Sequence, residues 1–302
     1  MFDSIESVEK GLLKENYIPE RSLATVLYLA WRLKKPVFLE GEPGVGKTET
    51  AVVMAKALKT DLIRLQCYEG LDANHALYEW NYPRQILAIK IGEECRNDPQ
   101  IVGRTIFTEE FLIKRPLLQA ILSAGEREPV LLIDEIDRSD EEFEALLLEV
   151  LSDFQVSIPE IGTLRAARRP LVILTSNRTR DIHDALKRRC LYHWIDYPSP
   201  EKEREIISAR VDGISEELAW QVALFMRRVR QEDLLKKPGI AETLDWALAL
   251  LTLNRDSLDD KTVEETLGCI LKYREDIVHF NELWKEPQFR ASFLDEVLET
   301  MC

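Results

Sequence analysis

One stretch constrains the fold of this chain more than any other: Gly-Glu-Pro-Gly-Val-Gly-Lys-Thr at residues 41–48. It fits the pattern of a glycine, four residues of any type and then Gly-Lys-Thr, which is typical of a loop that cradles phosphate groups. An apolar run precedes the stretch at residues 36–39, and a helical pattern of apolar residues follows it at 49–59. Strand, glycine loop and helix therefore follow in the order that points backbone N–H groups at a phosphate.

The residues of this motif, with the one that follows it, are the candidate nucleotide-binding residues. The glycines allow backbone conformations that larger residues avoid, so that successive N–H groups can turn inward. Lys47 is expected to reach the β- and γ-phosphates, and the Thr48 hydroxyl is expected to bind Mg²⁺. The predicted binding residues are Gly41, Glu42, Pro43, Gly44, Val45, Gly46, Lys47, Thr48 and Glu49.

A second motif joins an apolar run to two acids at residues 129–137. A continuous apolar run of this kind is typical of a central parallel strand that is covered on both faces. Asp134 stands at the carboxyl end, where α/β sheets present ligand groups, and it is expected to hold Mg²⁺ through water. Glu135 is expected to polarise the attacking water. A solvated acidic strand end would look similar alone, but the phosphate loop upstream favours the catalytic interpretation.

Three further residues are candidates for catalysis. The apolar run at 171–175 predicts a buried strand that delivers Asn177 to the same sheet edge as Asp134. Asn177 could position the attacking water or touch the γ-phosphate, and it could also cap the next helix. Arg188 and Arg189 end a predicted helix at 181–189. The helix dipole could stabilise their positive charges at the end of the helix, or they could reach the γ-phosphate bound by a neighbouring subunit.

The length of 302 residues and the change of pattern along the chain predict two domains. Residues 1–198 are expected to form an α/β nucleotide-binding domain with an insertion at about 68–112 and a hairpin at about 153–169. Beyond Pro200 the patterns are helical, and we expect a helical domain over 199–302. Its predicted helices lie at 199–211, 216–230, 241–253, 262–279 and 291–301.

The insertion carries Tyr78, Trp80 and Tyr82 close together. Such a group could be a small buried cluster, or it could be a contact surface for a partner or a ring pore. A helix is expected after it, over about 83–95.

Charge and cysteine content limit the function classes. Lys and Arg number 40 against 54 Asp and Glu, for a net charge of −14, which argues against a dedicated nucleic-acid binder. No run approaches 18 apolar residues, so we expect no transmembrane segment and a soluble, cytoplasmic protein. The cysteines are odd in number and scattered, which indicates reduced thiols that mostly pack in the interior; they are Cys67, Cys95, Cys190, Cys269 and Cys302.

In their order along the chain, these elements resemble the AAA+ ATPase superfamily: phosphate loop, apolar strand ending in Asp-Glu, Asn-tipped strand, arginine-bearing helix and C-terminal helical lid. Five strings are similar to the CoxD type of the MoxR family within that superfamily. They are CYEGLD (67–72), LYEWNYPRQ (77–85), IPEIGT (158–163), TSNRTR (175–180) and ALKRRCLYHWIDYP (185–198). The resemblance covers about residues 20–255.

The resemblance implies an α/β fold with five parallel strands flanked by helices, ATP and Mg²⁺ as cofactors, and a hexameric ring with ATP sites between subunits. By position, Asn177 matches the first sensor and Arg189 matches the arginine that acts on the neighbouring site, with Arg188 able to substitute. Many relatives have Pro-Arg where this chain has Lys-Lys-Pro-Gly at 236–239, so the second sensor is either a lysine, Lys236 or Lys237, or missing. Relatives of the CoxD type act with a von Willebrand factor A-domain protein to mature a metalloenzyme, carbon monoxide dehydrogenase being the named case.

Three functions compete at this level: an ATP-driven remodelling chaperone, a nucleotide-gated switch with slow turnover, and a DNA-directed motor or restriction-type NTPase. Glu135 favours the first over the second, because a pure switch needs no dedicated water-activating acid. The acidic balance counts against the third. The sequence leaves the choice between ATP and GTP open.

Overall fold

The computed structural model describes residues 2–94, 106–123 and 127–291. Contacts divide the chain into two compact units. One comprises Met1–Gly11, Glu20–Glu40 and Thr48–Trp194, and the other comprises Leu12–Pro19, Gly41–Lys47 and Ile195–Cys302. The tip of the phosphate loop is therefore grouped with the C-terminal part of the chain.

The described strands alternate with helices along the first two thirds of the sequence. The strands are β1 (Val37–Gly41), β2 (Leu62–Gln66), β3 (Tyr78–Trp80), β4 (Leu112–Lys114), β5 (Val130–Asp134), β6 (Gln155–Ile158), β7 (Gly162–Arg165), β8 (Leu171–Ser176) and β9 (Leu191–Ile195). The helices before β9 are α1 (Ile5–Leu13), α2 (Arg21–Leu33), α3 (Lys47–Leu58), α4 (Ala73–Ala76), α5 (Tyr82–Glu94), α6 (Pro116–Ile121), α7 (Glu141–Asp153) and α8 (Asp184–Lys187).

The main sheet has five parallel strands in the order β2-β5-β8-β1-β9, which confirms the predicted α/β fold. Every residue of β5 and β8 is buried, as expected for central strands covered by helices on both faces. In β2, at one edge of the sheet, Arg64 and Gln66 are exposed and Leu65 between them is buried. Parallel pairing sets Gln66 opposite Asp134 and so brings the ends of β2 and β5 together.

The insertion forms its own small sheet, in which β3 and β4 pair antiparallel. Trp80 is only 8% exposed and packs edge to face against Tyr78 and Phe107, with ring centroids 6.3 and 5.2 Å away. The interpretation of Trp80 as part of a contact surface is therefore wrong, because its ring belongs to the core. Tyr82, by contrast, is 59% exposed on α5. Cys95 lies outside the described residues.

The predicted hairpin is present, since β6 and β7 pair antiparallel. The predicted helix at 181–189 is a single turn, α8. It begins late because the backbone N–H of His183 donates to the buried carboxylate of Glu144 at 2.8 Å instead of entering a preceding helical turn. The helix that follows Arg115, α6, spans Pro116–Ile121.

The part of the second unit that follows β9 is helical. Its helices are α9 (Pro200–Arg210), α10 (Glu216–Gln231), α11 (Ile240–Thr252), α12 (Asp260–Ile270) and α13 (Arg274–Lys285). Phe225, Trp246, Phe280 and Trp284 form the aromatic centre of their core.

The single helix predicted over 262–279 is two helices, α12 and α13. The chain turns between them at the buried Leu271, and the turn lets side chains of both helices reach the same core. Of the helix predicted at 291–301, residues 292–301 lie outside the described residues, as does Cys302. No helix in the described ranges is both long and apolar enough to cross a membrane.

Candidate functional site

The phosphate loop connects β1 to α3. Gly44 and Gly46 have φ values of +79° and +95°, in a region that residues with a side chain rarely adopt. No atom lies within 4 Å of a Cβ built on Gly46, so the need for glycine there is conformational rather than steric. Glu42 and Pro43 are exposed beside Gly44, whereas Val45 is buried and anchors the loop.

Lys47 begins α3 and is buried. Its ammonium group donates hydrogen bonds to the carbonyl oxygens of Gly41 at 2.8 Å and Glu42 at 2.7 Å. These bonds hold the ammonium group within the curve of the loop, where the motif predicts a phosphate contact. Glu49 lies in the first turn of the same helix and is partly exposed.

Within the second unit, the loop contacts the start of α11. The backbone N–H of Ile240 donates to the carbonyl oxygen of Gly44 at 2.9 Å. A Cβ on Gly239 would lie 2.6 Å from the Cα of Gly44, so the two backbones touch directly. Lys236 and Lys237, the residues expected as a second sensor, are exposed, and Gly239 makes the contact with the loop.

A buried ion pair holds the chain in front of α11. The guanidinium group of Arg230 donates to both carboxylate oxygens of Glu203 at 2.6 and 2.8 Å. Its Nε donates to the carbonyl oxygen of Pro238 at 2.8 Å. Two parallel bonds to a carboxylate give a well-defined geometry. This pair therefore positions the backbone immediately before Gly239.

Asp134, at the end of β5, is the buried acid of the first unit. Its Oδ1 accepts hydrogen bonds from the hydroxyl groups of Thr48 at 2.9 Å and Thr175 at 2.5 Å. Its Oδ2 accepts a bond from the guanidinium group of Arg64 at 2.6 Å. The structure thus brings the two predicted metal ligands, Thr48 and Asp134, into direct contact.

Glu135 follows Asp134 but has different surroundings. Its backbone lies in the left-handed region with φ 54° and ψ 52°, ahead of a short 3₁₀ helix at Ile136–Arg138. A residue other than glycine in this region carries a conformational cost of about 1 kcal/mol or more, and such residues cluster at functional sites. The side chain is 32% exposed, and its Oε2 accepts a hydrogen bond from the guanidinium group of Arg138 at 3.1 Å.

Asn177 lies beside Glu135. Its side-chain N–H donates to Oε1 of Glu135 across 3.5 Å, which is a long hydrogen bond, and its backbone N–H donates to Asp137 at 3.2 Å. The interpretation of Asn177 as the cap of the next helix is wrong, because His183 occupies the N-cap of α8. The structure therefore brings together Asp134, Glu135 and Asn177 as predicted.

Arg188 and Arg189 lie at the C-terminal end of α8 with exposed side chains. Their backbone N–H groups donate to Asp184 and Leu186 at 2.9 and 3.1 Å. Because a single turn has few aligned peptide dipoles, a favourable helix dipole is a weak reason for two adjacent arginines here. Exposure of both side chains is compatible with a contact to a neighbouring subunit.

Sequence reasoning missed three residues of this site. The Thr175 hydroxyl donates to Asp134 and accepts the backbone N–H of Glu135 at 2.9 Å, so it links the two acids. Arg64 and Gln66 reach Asp134 and Glu135 from β2. The available signal was a pair of polar residues two positions apart at the carboxyl end of a strand, which places them on one face.

Cys67 follows β2 and is buried, and its backbone N–H donates to the carbonyl oxygen of Asp134 at 2.9 Å. Burial raises the pKa of its thiol to about 12, and the carboxylates of Asp134, Asp137 and Glu135 add to the effect. The thiol therefore stays protonated at neutral pH and is unsuited to nucleophilic chemistry or metal binding. This agrees with the packing role expected for the cysteines.

The donor set fits the cofactors that the motifs predict. Thr48 and Asp134 offer a hydroxyl and a carboxylate, and Mg²⁺ prefers oxygen ligands of this kind and retains several waters. The glycine conformations at Gly44 and Gly46 and the position of Lys47 suit a loop that surrounds phosphate groups. The loop residues could hold the phosphate groups of a nucleoside triphosphate, and Thr48 and Asp134 could hold Mg²⁺.

Comparisons with known proteins agree with the assignment of a nucleotide-binding domain. The AAA domain (dynein-related subfamily) family matches residues 36–190, just over half of the chain. The Holliday junction branch migration complex subunit RuvB of Thermotoga maritima is 24% identical over 322 residues, which span 97% of this chain and 83% of that protein.

Two solved structures are similar at low identity. The RuvB branch migration motor of Thermotoga maritima has a TM-score of 0.44 and 18% identity, over 86% of this chain and 68% of that one. An ATPase of Cytophaga hutchinsonii has a TM-score of 0.49 and 15% identity, over 88% of this chain and 86% of that one. On the extent of the family match, this chain belongs to the AAA domain family, in its dynein-related subfamily.

Proposed function

We propose that this protein is a MoxR-type AAA+ ATPase that works as a ring and uses ATP hydrolysis to remodel a protein substrate. The observation that carries the ATPase assignment is the hydrogen bond between Thr48, the last residue of the phosphate-loop motif, and Asp134 at the end of β5. The Thr48 hydroxyl donates to Asp134, and Glu135 and Asn177 lie beside that acid. A metal ligand pair next to a water-activating acid is what phosphoryl transfer from ATP requires.

In the proposed reaction, Lys47 and the backbone N–H groups of the loop hold the phosphate oxygens. Thr48 and Asp134 would hold Mg²⁺, which neutralises charge on the β- and γ-phosphates when bound. Glu135 accepts the proton of the attacking water, and Asn177 orients that water or the γ-phosphate. The partial exposure of Glu135 leaves it accessible to water, in contrast to the buried Asp134.

The MoxR assignment and the CoxD type rest on the five strings at 67–72, 77–85, 158–163, 175–180 and 185–198. On this basis we propose a von Willebrand factor A-domain protein as the partner and a metalloenzyme, such as a carbon monoxide dehydrogenase, as the substrate. A hexameric ring is proposed with Arg189, or its neighbour Arg188, acting on the adjacent ATP site. The exposure of both arginines supports that part of the proposal.

A DNA motor is the second candidate. It is favoured by the 24% identity to RuvB, whose name describes a subunit of a Holliday junction branch migration complex. The net charge of −14 argues against it, since DNA-binding surfaces are basic. Stimulation of ATP hydrolysis by a four-way DNA junction would favour this candidate. Capture of a metalloenzyme or a von Willebrand factor A-domain protein by a nucleotide-trapped ring would favour the first.

The test of ATP hydrolysis is Glu135→Gln. This variant keeps the size and polarity of the side chain but loses the proton acceptor, so we expect it to bind ATP with Mg²⁺ and to hydrolyse it at least ~100-fold more slowly. Steady-state phosphate release measures the rate, and a fluorescent ATP analogue measures binding.

Lys47→Ala is the matched variant, because it removes a phosphate contact and should weaken binding itself. Wild-type turnover in Glu135→Gln would remove Glu135 from the proposed role. Wild-type ATP affinity in Lys47→Ala would count against the loop assignment. Pulldown from the native host with the Glu135→Gln ring then identifies the substrate.

A further inference from the structure

Arg64 joins the two acidic residues of the site. It lies on the exposed face of the edge strand β2, and its side chain is 52% exposed, whereas that of Asp134 is 2% exposed. One nitrogen of its guanidinium group, Nη2, donates to Oδ2 of Asp134 at 2.6 Å and to Oε1 of Gln66 at 2.7 Å. A half-exposed cation thus pairs with the buried carboxylate that we assign to Mg²⁺.

The other carboxylate oxygen of Asp134, Oδ1, already accepts two hydrogen bonds. The donors to Oδ1 are the hydroxyl groups of Thr48 and Thr175. Arg64 donates to Oδ2, which these hydroxyl groups do not contact. The threonine hydroxyls are neutral, whereas the guanidinium group of Arg64 brings a positive charge into direct contact with this carboxylate. A buried carboxylate without a cation partner is strongly unfavourable, which explains why Arg64 extends toward it.

The contact continues from Arg64 to Glu135. The amide oxygen of Gln66 accepts from Arg64, and the amide nitrogen of Gln66 donates to Oε2 of Glu135 at 3.0 Å. Since an amide has one acceptor end and one donor end, Arg64 and the carboxylate of Glu135 together fix the orientation of Gln66. Arg64 therefore acts on Glu135 through Gln66 and on Asp134 directly.

We propose that Arg64 is a positioning residue that competes with Mg²⁺ for Asp134 and supports one contact of Glu135 through Gln66. This inference rests on the proposed function, in which Mg²⁺ and a nucleotide bind at Thr48 and Asp134. Two cations near one carboxylate repel each other, so binding of Mg²⁺ displaces the guanidinium group. Its exposure and long flexible stem let Arg64 turn toward water.

Displacement has a consequence for Glu135. Without Arg64, the Gln66 amide loses its bond at the oxygen and keeps its bond to Glu135, so it is held less firmly. Glu135 then has a less ordered donor in Gln66, while Arg138 still donates to the same Oε2 at 3.1 Å. Displacement of Arg64 would thus loosen one contact of Glu135 and leave its ion pair with Arg138 in place.

The test measures nucleotide binding rather than hydrolysis. Binding of a fluorescent ATP analogue is titrated against buffered free Mg²⁺ in wild type, Arg64→Gln, Arg64→Met and Arg64→Lys. We expect the Mg²⁺ midpoint to fall about three- to tenfold in the two neutral variants, as expected for loss of a partly screened competing charge, and to stay near wild type in Arg64→Lys.

A second measurement separates this role from a merely structural one. In EDTA, the neutral variants should bind the anionic nucleotide more weakly than wild type, because the site has lost a positive charge. Structural damage would weaken binding in both conditions, whereas competition predicts shifts in opposite directions. Arg115→Gln is the control, since Arg115 forms a 2.7 Å ion pair with Glu79 in the insertion and does not contact the acids.

The outcomes distinguish this inference from the proposed function. Mg²⁺ midpoints equal to wild type in folded Arg64→Gln and Arg64→Met, with nucleotide binding retained, would overturn the role of Arg64. Failure of wild type itself to bind the nucleotide at any Mg²⁺ concentration would instead overturn the proposed function. Thermal unfolding of each variant shows whether it is folded, and Arg64→Met replaces Arg64→Gln if the latter is not.

Discussion

Two adjacent acids at the end of one strand have different properties because of their immediate neighbours. Asp134 is buried with three donors on its carboxylate, whereas Glu135 is partly exposed after a left-handed turn. Thr175 contributes to both environments, since its one hydroxyl donates to Asp134 and accepts from the backbone of Glu135. A metal ligand benefits from a fixed, buried position, and a residue that activates water needs access to water.

Trp80 provides the prediction at the residue scale. Its ring is buried against Tyr78 and Phe107, so Trp80→Ala should leave a cavity and lower the free energy of unfolding by about 3–5 kcal/mol. Chemical denaturation followed by circular dichroism measures the change. Tyr82→Ala is the matched control, because Tyr82 is exposed on the same segment and its loss should change stability by about 0.5 kcal/mol or less. Equal denaturation midpoints for the two variants would contradict the buried assignment.

At the scale of elements, the side chains of the candidate site come from strand ends and short turns that the sheet aligns. The pairing of β2 with β5 sets Arg64 and Gln66 beside the acids, although about 70 residues separate them along the chain. The start of α11 is held in a comparable way, by the ion pair between Arg230 and Glu203. Rigid elements of this kind fix the geometry of a site better than loops do.

The contact between Gly239 and Gly44 gives the prediction at this scale. Gly239 has an ordinary φ of −90°, so alanine is tolerated by its backbone conformation, but the added Cβ would lie 2.6 Å from the Cα of Gly44. Gly239→Ala should therefore displace the phosphate loop from Ile240 and break the bond between them. We expect the affinity for ATP to fall about 3- to 10-fold, which corresponds to the net contribution of one hydrogen bond.

Fluorescent nucleotide titration measures the effect of Gly239→Ala. The control is Gly268→Ala on α12, where no atom lies within 4 Å of the added Cβ. That variant should bind ATP as wild type does. Unchanged ATP affinity in Gly239→Ala would show that the two backbones need not touch for the loop to bind nucleotide.

At the scale of the whole molecule, the proposed ring predicts that one subunit completes the site of its neighbour. Arg189 is exposed, and an arginine supplied across an interface can accelerate phosphoryl transfer by about 10³–10⁵. Arg189→Ala should therefore bind ATP normally and fail to hydrolyse it. Mixing it with Lys47→Ala should restore some activity, because mixed rings pair an intact loop with an intact arginine.

Phosphate release across mixing ratios, after conditions that allow subunits to exchange, measures this complementation. Arg188→Ala, made in parallel, identifies which of the two arginines acts. Full activity of both single variants as strict monomers would eliminate the trans-acting arginine and the ring. If activity does not recover although the subunits are shown to exchange, the remaining role of the arginines is at the C-terminal end of α8.

The amino-acid sequence alone determined the order of the main elements and singled out most of the candidate site residues. Apolar runs and helical spacing are local patterns, so they predicted the buried strands, the hairpin and the helices that follow β9, while the five-stranded parallel sheet was implied by the family resemblance. The acids could be assigned as well, because the phosphate loop motif and the apolar strand before Asp134 each indicate their position in the chain.

Only the tertiary structure decided which distant residues meet. Alternation along β2 shows that Arg64 and Gln66 share a face, but it does not show that β5 is the neighbouring strand. For the same reason, sequence could not assign Trp80 to the core, Gly239 to the phosphate loop or the turn at Leu271 between α12 and α13. Burial and contact depend on packing between elements far apart in the chain, and local pattern carries no information about that packing.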